Sequence, residues 1–300
     1  MNYPKKICVI NLFLFIFIKL NKNEIKICIC TIGKSENLYI KEYISHYKNY
    51  GVDKIFLYDN NDINGERFED VIQDYINDGY IEIINFRGKL KKQFIAYREC
   101  LNNNYKKYNY LIFYDIDEFI YLKDTKSLKD YLMRKTFDKC QTIQLNMVAH
   151  TDNNLLLYEN KPLFERFPKK KINRMEALKS IIKGNIKIDI TCIHNLNKKL
   201  KSCNGFGQFN FKEKYIIFTK NPDFKYYYID HFSFKSTEEF INKLNKGCAV
   251  FGKDTSIILK KIGWYFSTNE ITLKKINFIE NYTNLNLSNY KRKIEFIKYN

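Results

Sequence analysis

Between residues 26 and 148 short apolar runs alternate with longer stretches whose apolar residues recur at helical spacing. Few architectures accept that pattern. The runs Lys26 to Ile32, Asp53 to Asp59, Tyr80 to Phe86, Tyr108 to Tyr114 and Thr142 to Val148 read as buried strands. After Ser35, apolar Leu38, Tyr39, Tyr43, Ile44 and Tyr47 share one helical face, and Gly51 supplies the stop. Further helices are expected over Glu66 to Tyr75, over Lys91 to Tyr105 and from Leu128 to Met133. Strands separated by such helices form βαβ units and a largely parallel sheet. Sheets of this kind bind ligands outside the carboxyl ends of their strands, which singles out Thr31, Asp59, Arg87 and Asp115. Past residue 150 the alternation fades. Residues 153–225 read as loop-rich with scattered strands, and 236–248 as a helix opened by a Ser/Thr-x-x-Glu capping pattern. No strong linker divides the chain, so the second half is expected to pack on the first.

The sharpest local feature is YDIDEF, residues 114–119, where an apolar strand runs into Asp115, Asp117 and Glu118. Residues two apart on a strand share a face. Two carboxylates side by side raise each other's pKa unless a cation sits between them. A divalent ion with oxygen ligands shared between carboxylate and phosphate resolves the conflict. The pair Asp115 and Asp117 therefore reads as a metal–diphosphate clamp at the mouth of a nucleotide pocket. No G-x-x-x-x-G-K-[ST] loop is present, and no G-x-G-x-x-G follows the first strand, so Walker-type and nicotinamide chemistry are disfavoured.

The formal net charge is +18, from 51 basic and 33 acidic residues. Arg, the better fork for bases and phosphates, supplies only 7 of the basic residues. The excess is lysine in a chain that also holds 35 Asn, a composition typical of positions that accept any polar residue, so nucleic acid is not the expected partner. The eight cysteines form no C-x-x-C pair and no zinc spacing. Their even number permits disulfides without arguing for them.

Ile7 to Ile18 is almost wholly apolar and is flanked by Lys5, Lys6 and Lys19. Twelve residues rise only about 18 Å as a helix, short of a hydrocarbon core of roughly 30 Å. Residues 1–24 thus read either as a signal or short anchor, with residues 7–20 in the membrane and a type II orientation, or as an apolar extension lying on the domain. Without an anchor, a cytoplasmic or membrane-peripheral protein is expected.

Five blocks in order resemble the glycosyltransferases of the GT-A fold, family 92 and the related family 2. They are residues 28–61, KKQFIAYREC (91–100), YDIDEF, the segment 163–182 with its K-S-I element, and YYYIDHFSFKSTEEFINKLNKG (226–247). The resemblance covers about residues 25–295. It implies a Rossmann-like α/β fold with a mixed, mainly parallel sheet flanked by helices, a nucleotide-binding half (25–150) and an acceptor half (151–295). It implies a hexosyltransferase that takes a nucleotide sugar, a UDP-sugar first of all, and moves the sugar with inversion to a glycan or other hydroxyl acceptor. Mn²⁺ or Mg²⁺ is the implied cofactor. Asp115, Asp117 and His231 would hold it, Thr31, Asp59, Asn60 and Gln93 would line the nucleoside end, and Lys235 would lie near the phosphates. Inversion requires a carboxylate base near the acceptor hydroxyl, for which Asp152 is the first expectation and Glu165 the second. Where animal members carry a W-x-x-F-G-type segment, this chain has NMVAHTDNN. His46, His150 and His194 are expected to be structural. The competing reading is a non-catalytic glycan- or membrane-binding protein on the same fold.

Overall fold

The computed structural model describes residues 25–89, 92–172, 177–209, 223–246 and 255–299. The apolar segment 7–20 lies outside the described residues; among these, no helix is long and apolar enough to cross a membrane.

β1 (Ile27–Gly33) is buried along its whole length, because its two sets of side chains enter different cores. Ile27 and Ile29 join one cluster, Cys28, Cys30 and Ile32 the other. The same division runs through β2 (Lys54–Asp59) and β4 (Tyr110–Ile112), and explains why these strands read as continuous apolar runs. One face is covered by α1 (Asn37–Asn49), through Tyr39, Ile40, Tyr43, Ile44 and Tyr47. Gly51 ends that helix at φ +80°, a left-handed position that costs glycine little. α2 (Glu69–Asn77) leads to β3 (Ile81–Asn85), which pairs parallel with β2. The opposite face is covered by α3 (Gln93–Asn104), which a Cys30–Cys100 disulfide ties to β1.

β1, β2, β3 and β4 are parallel, as expected. Beyond β4 the sheet becomes mixed. Its order is β3-β2-β1-β4, then β7 (Leu178–Lys183), β6 (Thr142–Ala149), β9 (Tyr227–His231) and β5 (Glu118–Leu122), with β8 (Ser202–Asn204) also on β6. β7 enters antiparallel beside β4 and beside β6. β9 runs parallel to β6 and antiparallel to β5. The expected α/β class, a mixed and mainly parallel sheet flanked by helices, is the architecture observed.

Residues 113–117 carry the chain from β4, inside the sheet, to β5 at its far edge. Gly33 makes room for this crossing: a Cβ there would lie 2.5 Å from Ile116 Cδ1 and 2.7 Å from Phe68 Cζ. Two short helices, α4 (Leu128–Leu132) and α5 (Leu163–Arg166), flank β6 in sequence. The C-terminal part adds α6 (Thr237–Lys246), α7 (Thr255–Thr268), α8 (Leu273–Thr283) and α9 (Ser288–Tyr299). Their apolar faces form a third cluster around Phe240, Ile262, Tyr265 and Ile276.

Candidate active site

The acidic turn becomes a site because three strands converge on it. The β5–β9 register sets Glu118 opposite His231. The β6–β7 register sets Lys179 opposite Leu145 in the buried middle of the sheet. Lys179 is 1% exposed and lies 2.9 Å from Asp115 Oδ2 and 3.1 Å from Glu118 Oε1. Asp115 Oδ1 accepts hydrogen bonds from Gln93 Nε2 at 2.9 Å and Tyr97 Oη at 2.8 Å. Glu118 Oε2 accepts from the Asp115 amide at 3.0 Å.

Asp117 faces another set of partners. Its Oδ2 lies 2.8 Å from Lys243 Nζ on α6, and its Oδ1 lies 3.8 Å from His231 Nε2. Lys243 also donates to the Ser233 carbonyl at 2.8 Å. Lys235 is buried at φ +60°, with its ammonium 3.9 Å from Glu36 Oε2 and 4.2 Å from the centre of the Tyr39 ring. Lys246 bonds Glu36 as well, and donates to the Lys34 carbonyl.

Burial alone would raise all three acids, and the neighbours decide the outcome. At Asp115 burial is the largest influence, but Lys179 and the Tyr97 hydroxyl together hold the carboxyl below its ordinary value. Asp117 is held well below, since Lys243, His231 and Lys235 together overcome its burial. Glu118 is pushed up to about 8, chiefly by burial, with Lys179 opposing and Asp115 adding to the rise. Among the lysines, burial lowers Lys235, whereas Asp117 carries Lys243 above its ordinary value despite burial.

Asp117, Glu118 and His231 each bring a ligand atom within 4.8 Å of the others. Two carboxylates with an imidazole suit a divalent cation of the Mn²⁺ type, so the donor set fits the implied metal. Asp115 is not in this group; its oxygens are engaged by Gln93, Tyr97 and Lys179.

The residues expected at the nucleoside end gather at the carboxyl edge of β1–β3. Thr31 is buried in β1. Asp59 bonds Arg87 at 2.7 Å, and that guanidinium also holds the carbonyls of Asp62, Ile63, Gly65 and Glu66. Asn60 donates to the carbonyls of Phe86 and Lys89. Gln93 sits on Asp115 itself.

The two expected bases are set apart from this group. Asp152 lies three residues past Ala149, the β6 partner of His231, so at most about 10 Å of extended chain separates it from that position. Its Oδ2 takes Lys275 Nζ at 2.7 Å and Tyr265 Oη at 2.6 Å, and its Oδ1 takes the Asn154 amide. It lines a polar pocket of about 300 Å³ with Thr151, Asn154, Lys169, Lys171, Asn269 and Glu270. Glu165 stands exposed on α5.

The remaining histidines serve the fold. His150 bonds Asp230 at 2.7 Å and the Phe167 carbonyl. His46 meets the Ile120 carbonyl and is lowered to about 4 by burial. His194 meets the Leu178 carbonyl and is lowered to about 4 by burial and by Lys179.

Sequence reasoning assigned no role to Lys179, Lys243 or Glu118. A signal existed for Lys179: a lysine inside the strand LKSIIK must find a buried carboxylate. None existed for Lys243, which in STEEFINKLNK looks like part of a solvated face.

Among solved structures the chain is similar to S. aureus TarS 1–349 in complex with UDP-GlcNAc, at 12% identity over 86% of this chain and 79% of that one, TM-score 0.38. It is also similar to S. aureus TarS 1–349 in complex with UDP, at 14% identity over 45% of this chain, TM-score 0.32, and there spans only 38% of that chain. A third similarity is to GalNAc-T7 with UDP, GalNAc and Mn²⁺, at 13% identity over 44% of this chain and 24% of that one, TM-score 0.28. No curated protein matches the sequence. The profile of glycosyltransferase family 92 matches residues 23–254, from before β1 to beyond α6 and so across the whole acidic site. The chain belongs to glycosyltransferase family 92.

Proposed function

We propose that the protein is a metal-dependent, inverting glycosyltransferase that moves a hexose from a nucleotide sugar, a UDP-sugar first of all, to a hydroxyl acceptor. The observation that carries this reading is the meeting of Asp117, Glu118 and His231 with Lys235 and Lys243 close by, at the edge where such sheets bind ligands. Residues 25–295 act as one catalytic unit, with the nucleotide held by 25–150 and the acceptor by 151–295. Membership of glycosyltransferase family 92 accords with a nucleotide-sugar donor.

In this reading Asp117 and His231, with Glu118 beside them, hold Mn²⁺ or Mg²⁺, which supplies positive charge for the leaving diphosphate. Asp115 is fixed by Lys179, Gln93 and Tyr97 and faces the ribose and diphosphate. Thr31, Asp59 and Asn60 form the wall at the nucleoside end, where Arg87 braces the 62–66 loop. Lys235 adds charge beside the phosphates. The acceptor enters the pocket that Asp152 lines, which favours Asp152 over Glu165 as the group that receives the hydroxyl proton.

The test is thermal unfolding of the full chain with UDP, GDP or CMP, each with and without Mn²⁺. One nucleotide is expected to raise the melting temperature only when Mn²⁺ is present, because a ligand bound to the folded state alone stabilises it. Asp117→Asn should abolish that rise. Asp152→Asn should keep it and lose transfer by about 10²–10⁴-fold, the usual worth of a general base. An equal rise without metal would overturn the metal role. No rise with any nucleotide would favour the non-catalytic binding protein.

A further inference from the structure

Asp117 already has a cation. Lys243 Nζ lies 2.8 Å from Asp117 Oδ2, within charge-assisted hydrogen-bond distance. The opposite oxygen, Oδ1, stands 3.8 Å from His231 Nε2, too far for a hydrogen bond and close to the spacing of two ligands on one ion. The carboxylate is thus shared between an ammonium on one side and the metal-competent position on the other.

The two lysines that pair with the acidic turn differ in freedom. Lys179 is 1% exposed and clamped between two carboxylates. The side chain of Lys243 is 29% exposed, and it reaches Asp117 from α6 on a flexible four-carbon stem. Lys235 adds its charge near Asp117. A divalent ion reaching Asp117 would therefore compete with the Lys243 ammonium for the same carboxylate, with the charge of Lys235 nearby. A diphosphate changes that balance, since lysine is a good phosphate partner.

We propose that Lys243 is a tethered counter-cation: it holds Asp117 before ligands bind and releases that carboxylate to the divalent ion when a nucleoside diphosphate arrives to receive the ammonium. Lys243 is then a positioning residue that couples metal and nucleotide binding. By linkage each ligand strengthens the other through it. The inference rests on the metal reading above.

The test is direct Mn²⁺ binding, read from the paramagnetic resonance signal of free Mn²⁺, to the full chain with and without UDP. The wild type is expected to bind Mn²⁺ weakly alone and more tightly with UDP. Lys243→Met should bind Mn²⁺ alone about tenfold tighter than the wild type, the equivalent of one charge-assisted hydrogen bond no longer competing. Its gain on adding UDP should be smaller. Lys243→Arg keeps the charge and should follow the wild type; a melting curve for each variant checks its fold. Mn²⁺ uptake by the wild type with UDP, together with unchanged or weaker affinity in Lys243→Met, would overturn this inference alone. No Mn²⁺ uptake by the wild type even with UDP would overturn the metal reading and this inference with it.

Discussion

Three acids within four residues are tolerable in a folded chain only if each reaches a different electrostatic settlement. Asp115 is balanced by Lys179, Asp117 by Lys243 and its neighbours, and Glu118, 1% exposed, is pushed up to about 8 by its burial. The consequence for stability has a definite sign. In the unfolded chain Glu118 ionises near its ordinary 4.5, so the unfolded state gives up the proton first as pH rises. Stability from this group is whole below that value and is lost as pH rises towards about 8. Asp115 and Asp117 act in the other direction, since their lowered values add stability that is lost as pH falls below the ordinary 3.8. Denaturant unfolding of Glu118→Gln, which cannot ionise, isolates the first effect. The wild type should lose stability relative to the variant between about pH 4.5 and about pH 8. Parallel pH profiles would mean that Glu118 is ionised in the fold. At this scale the motif made the acids legible, because a run of carboxylates after an apolar strand is visible in the sequence itself. The lysines that settle their charges come from residues 179 and 243, and only the sheet register and the packing of α6 bring them there.

The elements that could be read are those with both faces buried or with a strong local signal. β1 to β4, α1 and α3 fall close to their expected bounds, and so does α6. β5 was not assigned, since it opens on Glu118 and its first residues look like the end of an acidic turn. β7, β8, β9 and helices α7 to α9 follow from pairing and docking that no period along the chain records. The cap of α6 shows how a local signal acquires a longer-range role. Ser236 Oγ accepts from the Glu239 amide, and Glu239 Oε2 accepts in return from the Ser236 amide at 3.0 Å, as the capping pattern requires. The same carboxylate takes both Arg166 nitrogens, at 2.7 and 3.1 Å, and Tyr39 Oη at 2.6 Å. Arg166 is 1% and Glu239 4% exposed in their side chains, so this pair locks α6 to α5 and α1 out of reach of water. Loss of the cap alone, in Ser236→Ala, should cost about 1 kcal/mol. Glu239→Ala should cost about 3–5 kcal/mol, because it leaves a buried guanidinium without its counter-ion. Equilibrium denaturation measures both, and equal costs would show that the pair adds nothing beyond the cap.

At the scale of the whole molecule two covalent links span the architecture. Cys30–Cys100 joins the central strand β1 to α3, and Cys140–Cys203 joins the approach to β6 with β8. Their sequence separations are 70 and 63 residues, which is why no cysteine spacing announced them. Half-cystines so far apart are brought together by tertiary structure, the first pair by the docking of α3 on β1 and the second by the pairing of β8 with β6. Closing loops of this length restricts the unfolded chain, and each link is worth about 4 kcal/mol in the chain-entropy account. Such bonds persist in oxidising compartments and are reduced in a glutathione-buffered one. The disulfides therefore tie stability to where the chain matures. Alkylation of the denatured, unreduced protein should spare Cys30, Cys100, Cys140 and Cys203 and label Cys28 and Cys192, the free cysteines among the described residues. Reductant should expose the four and lower the melting temperature. Full alkylation without reductant would mean that the sheet holds these thiols side by side unbonded, and its stability would then rest on packing alone. The two outcomes also separate the compartments: protein matured under oxidising conditions carries both links, whereas protein kept reduced must fold the same sheet against a larger loss of chain entropy.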